Sequence, residues 1–195
     1  MRHHLTLLIL LVTTTVSAQN ADIDLLKQIN PAQPKSAFWR AESKSAYPVA
    51  FLVHGGLMTY DYFHDKANRG KLFRHAAEKL VVLALTEGIK LAVDRPRPYI
   101  KYPLDVHPYD NSETGLSFPS AHTSVAFNAA TTLAMRFNKW YITVPAFAWA
   151  GCVGYSRMYL GEHYPSDVIA GAAIGVGSAF LVRWIDKKLS ARKHS

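Results

Sequence analysis

The sequence has a single cysteine and few charged residues, and each shortage excludes a class of protein. Cys152 has no second cysteine to pair with, so the chain forms no internal disulfide and no cysteine-based zinc site. Charged residues make up 18% of the chain, whereas hydrophobic residues make up 49%. This composition excludes disordered and collagen-like chains, and at 195 residues it predicts one folded domain.

The charge that is present is mostly positive. The 22 Lys and Arg outnumber the 14 Asp and Glu, for a formal net charge of +8. Such a balance is expected for a nucleic-acid-binding protein, for an enzyme of phosphate esters and for a membrane protein with cationic inner loops. The positions of the charges must therefore distinguish these classes.

Residues 1–18 have the pattern of a secretory signal peptide. A basic start precedes an apolar stretch over 5–12, and Ala18 ends a small-residue pattern that signal peptidase accepts. We expect cleavage before Gln19 and export of the chain. An uncleaved membrane anchor is the alternative, although the apolar stretch is short for a bilayer span.

The remaining sequence predicts an all-α bundle. Residues 19–45 are polar and predict a lead-in segment, with a short amphipathic helix over 23–29 and then an extended connector. Residues 46–195 predict the main domain, because five apolar stretches there lack the two-residue alternation of strands and suit helices. These five core helices are expected at 46–60, 75–93, 120–135, 140–155 and 166–184.

The distribution of positive charge favours a membrane-spanning bundle. Segments 61–74, 136–139 and 183–195, predicted to face inside, hold eleven Lys and Arg, against eight in the outer segments. Aromatic residues also lie at the ends of the predicted spans, as in an interfacial belt. Glu87 and Lys90 fall inside the second stretch, so a water-soluble bundle is kept as the alternative.

Polar side chains are predicted to collect at one end of this bundle. In an up-and-down arrangement, the end of the second helix, the start of the third, the end of the fourth and the start of the fifth share one face. Guanidinium and ammonium groups bind phosphate oxygens, and a helix N-terminus also favours an anion. The residues that predict this phosphate pocket are Lys90, Arg97, Ser120, His122 and Arg157.

Two histidines in such a pocket indicate catalysis as well as binding. His163 precedes Asp167 by one helical turn, so the carboxylate can hold one ring nitrogen while the other attacks phosphorus. His122 can then protonate the leaving oxygen. The sequence shows no carboxylate cluster suited to Mg²⁺ or Ca²⁺ near these residues, so we expect a metal-independent reaction without a cofactor.

These residues resemble the signature of the type 2 phosphatidic acid phosphatase (PAP2) and vanadium haloperoxidase superfamily, and most closely its membrane lipid phosphatases. The three motifs read Lys90-x6-Arg97-Pro98, Pro119-Ser120-Ala121-His122 and Ser156-Arg157-x5-His163-x3-Asp167. Three spaced motifs in the correct order make a specific match. One position departs from the pattern, since Ala121 stands where the family has glycine.

The resemblance implies a phosphohistidine mechanism. His163 would be the nucleophile, Asp167 would orient it, and His122 would be the general acid. The implied phosphate-binding residues are Lys90, Arg97, Ser120, Ala121 and Arg157, with Ala121 acting through its backbone N–H.

The function expected from these features is a membrane lipid-phosphate phosphatase with its site on the extracytoplasmic face. Its substrate would be a polyprenyl diphosphate, phosphatidylglycerophosphate, phosphatidate or a lipid A phosphate. Residues 99–118 are expected to form a rim or lid over the site, with a solvated connector as the alternative. His54 and His75 are expected to be structural or solvated. The alternatives are a soluble secreted acid phosphatase, a vanadate-dependent haloperoxidase and a non-catalytic phosphate-head-group binder. We expect no nucleic-acid partner and no obligate protein partner.

Overall fold

The computed structural model describes residues 21–64, 70–110 and 115–192, and within these ranges it contains helices and no strand. The predicted signal peptide lies outside the described residues. Residues 21–29 form a first helix, α1. The helices that follow are α2 (Ala37–His64), α3 (Gly70–Val93), α4 (Pro98–Lys101), α5 (Ala121–Phe137), α6 (Trp140–Tyr159) and α7 (Pro165–Arg192).

The all-α prediction is confirmed. In the described part of the chain, α2, α3, α5, α6 and α7 correspond to the five predicted apolar stretches, and α1 corresponds to the predicted amphipathic helix. The structure differs over residues 37–45, which were expected to be an extended connector and are instead the first turns of α2. Ser36 caps this earlier start, because its hydroxyl accepts a hydrogen bond from the Trp39 backbone N–H at 3.4 Å. The expected domain boundary at residue 45 therefore falls inside a helix.

Helix α5 lies at the centre of the bundle and packs against all four other long helices. Most of its buried apolar residues are alanines, so the neighbouring helices approach closely. The buried members of the central apolar cluster are Ala46, Ala50, Val82, Val125, Ala126, Ala129, Ala130, Ala150 and Val153.

The crossing of α5 and α7 is close enough to require glycine. A Cβ at Gly171 would lie 2.6 Å from the Ser120 carbonyl oxygen, and one at Gly175 would lie 2.3 Å from the Ser124 carbonyl oxygen. The Ser120 backbone N–H also donates to the Asp167 carbonyl at 3.0 Å. This contact places the first turn of α7 beside the start of α5, which brings two predicted catalytic segments together.

The outer surface of the bundle is apolar. Leu52, Leu91, Trp140 and Ile169 are between 69% and 78% exposed, although each is a large hydrophobic residue on a helix or at its start. Extended apolar surface of this kind indicates contact with lipid or with a partner. Among the described helices, α7 over Pro165–Leu189 is the one that is both long and apolar enough to span a bilayer.

The interior is polar at the end opposite the predicted site. His75 lies between two buried carboxylates, with Nε2 3.1 Å from Asp61 Oδ2 and Nδ1 3.4 Å from Glu78 Oε2. Arg136 completes the group by donating to Asp61 Oδ1 at 2.8 Å. His54 Nδ1 contacts the Ala50 carbonyl oxygen of its own helix at 2.8 Å. His75 therefore joins α3 to α2, whereas this contact of His54 lies within α2.

Candidate active site

A cavity of about 380 Å³ opens where α3 ends and α5 begins. Five of the predicted site residues line it, so the structure brings residues from three separate motifs to one place. These residues are Lys90, Arg97, Ala121, His122 and His163, and the remaining lining residues are Tyr47, Glu87, Leu91, Gly115 and Leu116.

The two cations of the first motif are held by the loop that precedes α5. Lys90 Nζ donates to the Leu116 carbonyl at 2.8 Å, and Arg97 Nε donates to the Gly115 carbonyl at 3.0 Å. Both side chains are buried, so their charges act in a medium of lower dielectric constant than water. The expected rim over the site is therefore in contact with it through residues 115–117, while residues 111–114 lie outside the described chain.

His163 is buried between a cation and a carboxylate. Its Nε2 lies 3.5 Å from Arg97 Nη1, and its Nδ1 lies 3.4 Å from Asp167 Oδ2. Asp167 is itself fully buried and accepts hydrogen bonds from the Tyr164 backbone N–H at 2.9 Å and from the Ser117 hydroxyl. The ring thus has one nitrogen on the carboxylate side and the other on the side of the cations.

The start of α5 supplies the second histidine. His122 is half-buried, and its ring packs edge-to-face against Tyr47 with the centroids 4.8 Å apart. Ala121 is the first residue of α5, so its backbone has the helical conformation that alanine adopts readily. The replacement of the family glycine by alanine therefore requires no left-handed backbone here.

Two predicted phosphate-binding side chains do not line the main cavity. Ser120 caps α5 and accepts hydrogen bonds from Thr123, at 3.4 Å from the backbone N–H and 2.9 Å from the hydroxyl. Arg157 donates to the Ser43 hydroxyl at 2.6 Å and lines a separate cavity of about 130 Å³ that shares His122. The pattern of motifs could not distinguish a side chain on the cavity wall from one just behind it.

Sequence reasoning missed two charged residues at this site. Glu162 is buried, with its Oε2 3.0 Å from Arg97 Nη1 and 3.9 Å from Arg157 Nη2. Arg95 donates through Nη1 to Asp167 Oδ1 at 2.7 Å. The Arg-Pro repeat over 95–98 could have indicated that Arg95, like Arg97, belongs to the site. Glu162 could have been found only by its position next to His163.

The side chains of the main cavity suit an oxyanion. Lys90 and Arg97 provide cationic donors, and His122 and His163 provide nitrogens that can exchange protons or attack an electrophile. Across the described ranges, no group of three or more His, Cys, Asp or Glu residues is placed to hold a metal ion. A phosphoryl group fits this combination of charge and donors.

A comparison with protein families identifies the fold. The family model described as the PAP2 superfamily matches residues 72–190. The chain belongs to the PAP2 superfamily. The resemblance found in the three motifs is thereby confirmed, and the match covers α5, α6 and most of α3 and α7.

Curated relatives of this PAP2 chain include enzymes of lipid phosphates. The lipid A 4'-phosphatase of Bacteroides thetaiotaomicron is 41% identical over 81 residues, which are 42% of this chain and 36% of that protein. The bacitracin transport permease protein BcrC of Bacillus licheniformis is 44% identical over 86 residues, 43% of this chain and 38% of that protein. The chain therefore spans less than two fifths of the length of either relative.

Two solved PAP2-like structures resemble the bundle over most of its length. LpxE of Aquifex aeolicus has a TM-score of 0.67 and 28% identity, covering 83% of this chain and 94% of that one. The transmembrane PAP2-type phosphatidylglycerolphosphate phosphatase of Bacillus subtilis has a TM-score of 0.68 and 24% identity, covering 95% of each chain. The second likeness shows the fold alone.

Proposed function

We propose that this PAP2 protein hydrolyses the phosphate monoester or diphosphate of a lipid through a phosphohistidine intermediate. The main support is the position of His163, whose Nε2 faces Arg97 in the cavity while Nδ1 faces Asp167. An imidazole oriented by a carboxylate and adjacent to cations has the arrangement of a nucleophile for phosphorus. Binding of a phosphate group alone would not require it.

The proposed reaction has two steps. In the first, His163 Nε2 attacks phosphorus, the bond to the leaving oxygen breaks, and His122 donates a proton to that oxygen. In the second, water attacks phosphorus, His122 accepts a proton of that water, and the bond from phosphorus to His163 Nε2 breaks, which frees phosphate and restores the ring. Lys90 and Arg97 bind the non-bridging oxygens, and Asp167 stabilises the positive charge of the His163 ring.

The surface beside the cavity supports a lipid substrate. Leu91 lines the cavity and is also 78% exposed, so the cavity opens next to the apolar outer surface of the bundle. A phosphate head group can bind Lys90 and Arg97 while its hydrocarbon chain lies against that surface. The names of the relatives support the same class, since they include a lipid A 4'-phosphatase, an undecaprenyl-diphosphatase and a phosphatidylglycerophosphatase.

We also propose that the bundle is integrated in a membrane with its catalytic end on the extracytoplasmic face. The predicted signal peptide and the excess of Lys and Arg in the inner segments support this orientation. The exposed apolar side chains support the integration itself. The substrate would then be a lipid phosphate of the outer leaflet, such as a polyprenyl diphosphate, phosphatidylglycerophosphate, phosphatidate or lipid A phosphate.

The decisive experiment is an assay of phosphate release by full-length protein from washed membranes, with EDTA present. The panel contains phosphatidate, phosphatidylglycerophosphate, a polyprenyl diphosphate, lipid A and p-nitrophenyl phosphate. We expect extraction only in detergent and the highest kcat/KM on a lipid. Activity confined to p-nitrophenyl phosphate, from protein that leaves membranes without detergent, would instead indicate a soluble acid phosphatase. Bromide oxidation with added vanadate, without hydrolysis, would indicate a haloperoxidase.

A further inference from the structure

Asp22, near the start of α1, is bonded to the catalytic end of the bundle by both of its carboxylate oxygens. Its Oδ1 accepts a hydrogen bond from the Ser166 backbone N–H at 2.9 Å. Its Oδ2 accepts from the Ser166 hydroxyl at 2.5 Å and from Arg95 Nη2 at 2.7 Å. The side chain of Asp22 is 9% exposed, so these bonds are largely shielded from solvent.

Arg95 links this carboxylate to a second one. Its Nη1 donates to Asp167 Oδ1 at 2.7 Å and to the Ser166 hydroxyl at 2.7 Å. Its guanidinium also lies 3.7 Å from the centre of the Tyr164 ring. Burial favours the uncharged form of Arg95, but the carboxylates of Asp167 and Asp22 outweigh this and raise its pKa above the ordinary value. One permanently charged guanidinium is thus shared by two carboxylates.

Asp167 in turn holds His163. One carboxylate oxygen of Asp167 is bonded to Arg95, while the other lies 3.4 Å from His163 Nδ1. Without Asp22, Arg95 would lose one of its two anionic partners, and its whole charge would be directed at Asp167. That change would weaken the stabilisation of a cationic His163 ring and would leave the Nη2 side of the guanidinium without its carboxylate partner.

Helix α1 is fixed in place along its whole described length. Ile23 and Leu26 are buried in an apolar cluster with Val106. At the other end of the helix, the Asn30 side chain accepts a hydrogen bond from the His107 backbone N–H at 2.7 Å and donates to the His107 carbonyl at 2.9 Å. The position of Asp22 is therefore determined by the fold and not by the flexibility of a terminal segment.

We propose that Asp22 is a positioning residue of the active site. From α1 it holds Arg95 against Asp167, and Asp167 holds the nucleophile His163 in place. The segment expected to be a lead-in is, on this view, a functional part of the site. The inference rests on the proposed phosphatase function, since it assigns a role within the same reaction.

The test compares Asp22→Asn with Asp24→Asn in the full-length chain in detergent. Asp24 is a matched control, because it is the same residue type on the same helix and is exposed. With p-nitrophenyl phosphate and a short-chain phosphatidate as substrates, Asp22→Asn should lower kcat by about 10- to 100-fold while KM changes little. Asp24→Asn should keep both parameters. Asp22→Glu should recover part of the lost kcat, because it restores the charge.

A variant that only loosens α1 separates positioning from stability. Ile23→Ala removes buried apolar contact from the helix and leaves Asp22 and Arg95 intact. It should lower the melting temperature at least as much as Asp22→Asn, yet keep kcat near wild type when assayed well below that temperature. An equal loss of kcat in Ile23→Ala would mean that α1 matters only for folding, and the positioning role would be rejected. This comparison holds even where Asp22→Asn folds poorly.

A double-mutant cycle tests whether Asp22 acts through Arg95. In an Arg95→Ala background, adding Asp22→Asn should lower kcat by less than about twofold. The same loss in both backgrounds would overturn the proposed link. A wild-type protein inactive on every phosphate ester would refute the phosphatase function itself. An active wild type with an equally active Asp22→Asn variant would refute the positioning role alone.

Discussion

Arg97 and Glu162 form a buried ion pair at the wall of the catalytic cavity, with Nη1 3.0 Å from Oε2. The same Arg97 nitrogen lies 3.5 Å from His163 Nε2, so the carboxylate is adjacent to the expected position of the phosphoryl group. Glu162 Oε2 also lies 3.9 Å from Arg157 Nη2. Two guanidinium groups from the predicted phosphate-binding residues therefore share an internal carboxylate.

This ion pair predicts that Glu162 weakens the binding of phosphate. In Glu162→Gln, Arg97 and Arg157 lose a competing anion, so the inhibition constant of inorganic phosphate should fall by about three- to tenfold. The measurement is product inhibition at fixed pH and salt. Glu87→Gln is the comparison, because Glu87 lines the same cavity but is exposed, and its effect should be smaller. A weaker affinity for phosphate in Glu162→Gln would contradict this competition.

Removal of the nucleophile should abolish turnover. His163→Ala is expected to lower kcat by at least about 10³-fold, because the proposed phosphoenzyme forms on the His163 ring nitrogen. The control is His64→Ala, which changes an exposed histidine at the far end of α2. Its kcat should match wild type. Near-normal hydrolysis by His163→Ala would rule out the phosphohistidine mechanism.

The role of His122 predicts a dependence on the leaving group. A lipid phosphate has a basic leaving oxygen that needs a proton, whereas p-nitrophenolate leaves without one. His122→Ala should therefore lower kcat/KM, which reports formation of the phosphoenzyme, by about 10²- to 10⁴-fold on a lipid phosphate and much less on p-nitrophenyl phosphate. Rapid quenching during p-nitrophenyl phosphate turnover should also detect a more persistent phosphoenzyme. Equal losses of kcat/KM on both substrates would exclude general acid catalysis by His122.

The close crossing of α5 and α7 predicts a difference between two glycines of one helix. Gly175→Ala should lower the melting temperature by about 3–10 °C, because its Cβ would overlap the Ser124 carbonyl oxygen. Gly177→Ala should leave the melting temperature unchanged or raise it slightly. Apart from the backbone of its own helix, the added Cβ would have no atom within 4 Å. Thermal unfolding in the same detergent measures both. Similar shifts in the two variants would mean that the crossing is less tightly packed than the distances indicate.

The sequence was sufficient to predict the helices and the common end of the bundle at which the motifs meet. Apolar stretches of helical length mark each long helix. Helix packing then brings the end of α3 next to the start of α5. The extent of α2 was not predictable in this way. Its first turns, residues 37–45, are polar, and they are helical because Ser36 caps them and α2 continues into the core.

Details of the site depend on contacts that the spacing of motif residues along the sequence does not reveal. Ser120 belongs to the second motif, yet its side chain caps α5, and the hydroxyl was as consistent with binding phosphate as with capping a helix. Asp22 has no motif at all, and its role follows from the packing of α1 against the catalytic end. Apart from its position next to His163, Glu162 gave no signal, because its ion pairs with Arg97 and Arg157 exist only in the folded chain.

The hydrogen bonds between Asp22 and Ser166 join residues 144 positions apart. The nucleophile and its carboxylate also lie in the last part of the chain, after four of the five long helices. The ribosome must therefore reach Asp167, in the first turn of α7, before the contacts from Asp22 through Arg95 and Asp167 to His163 can form. A nascent chain that ends before residue 163 contains Lys90, Arg97 and His122 but lacks the proposed nucleophile. On the proposed mechanism, hydrolysis therefore cannot begin before residues 163–167 have been synthesised.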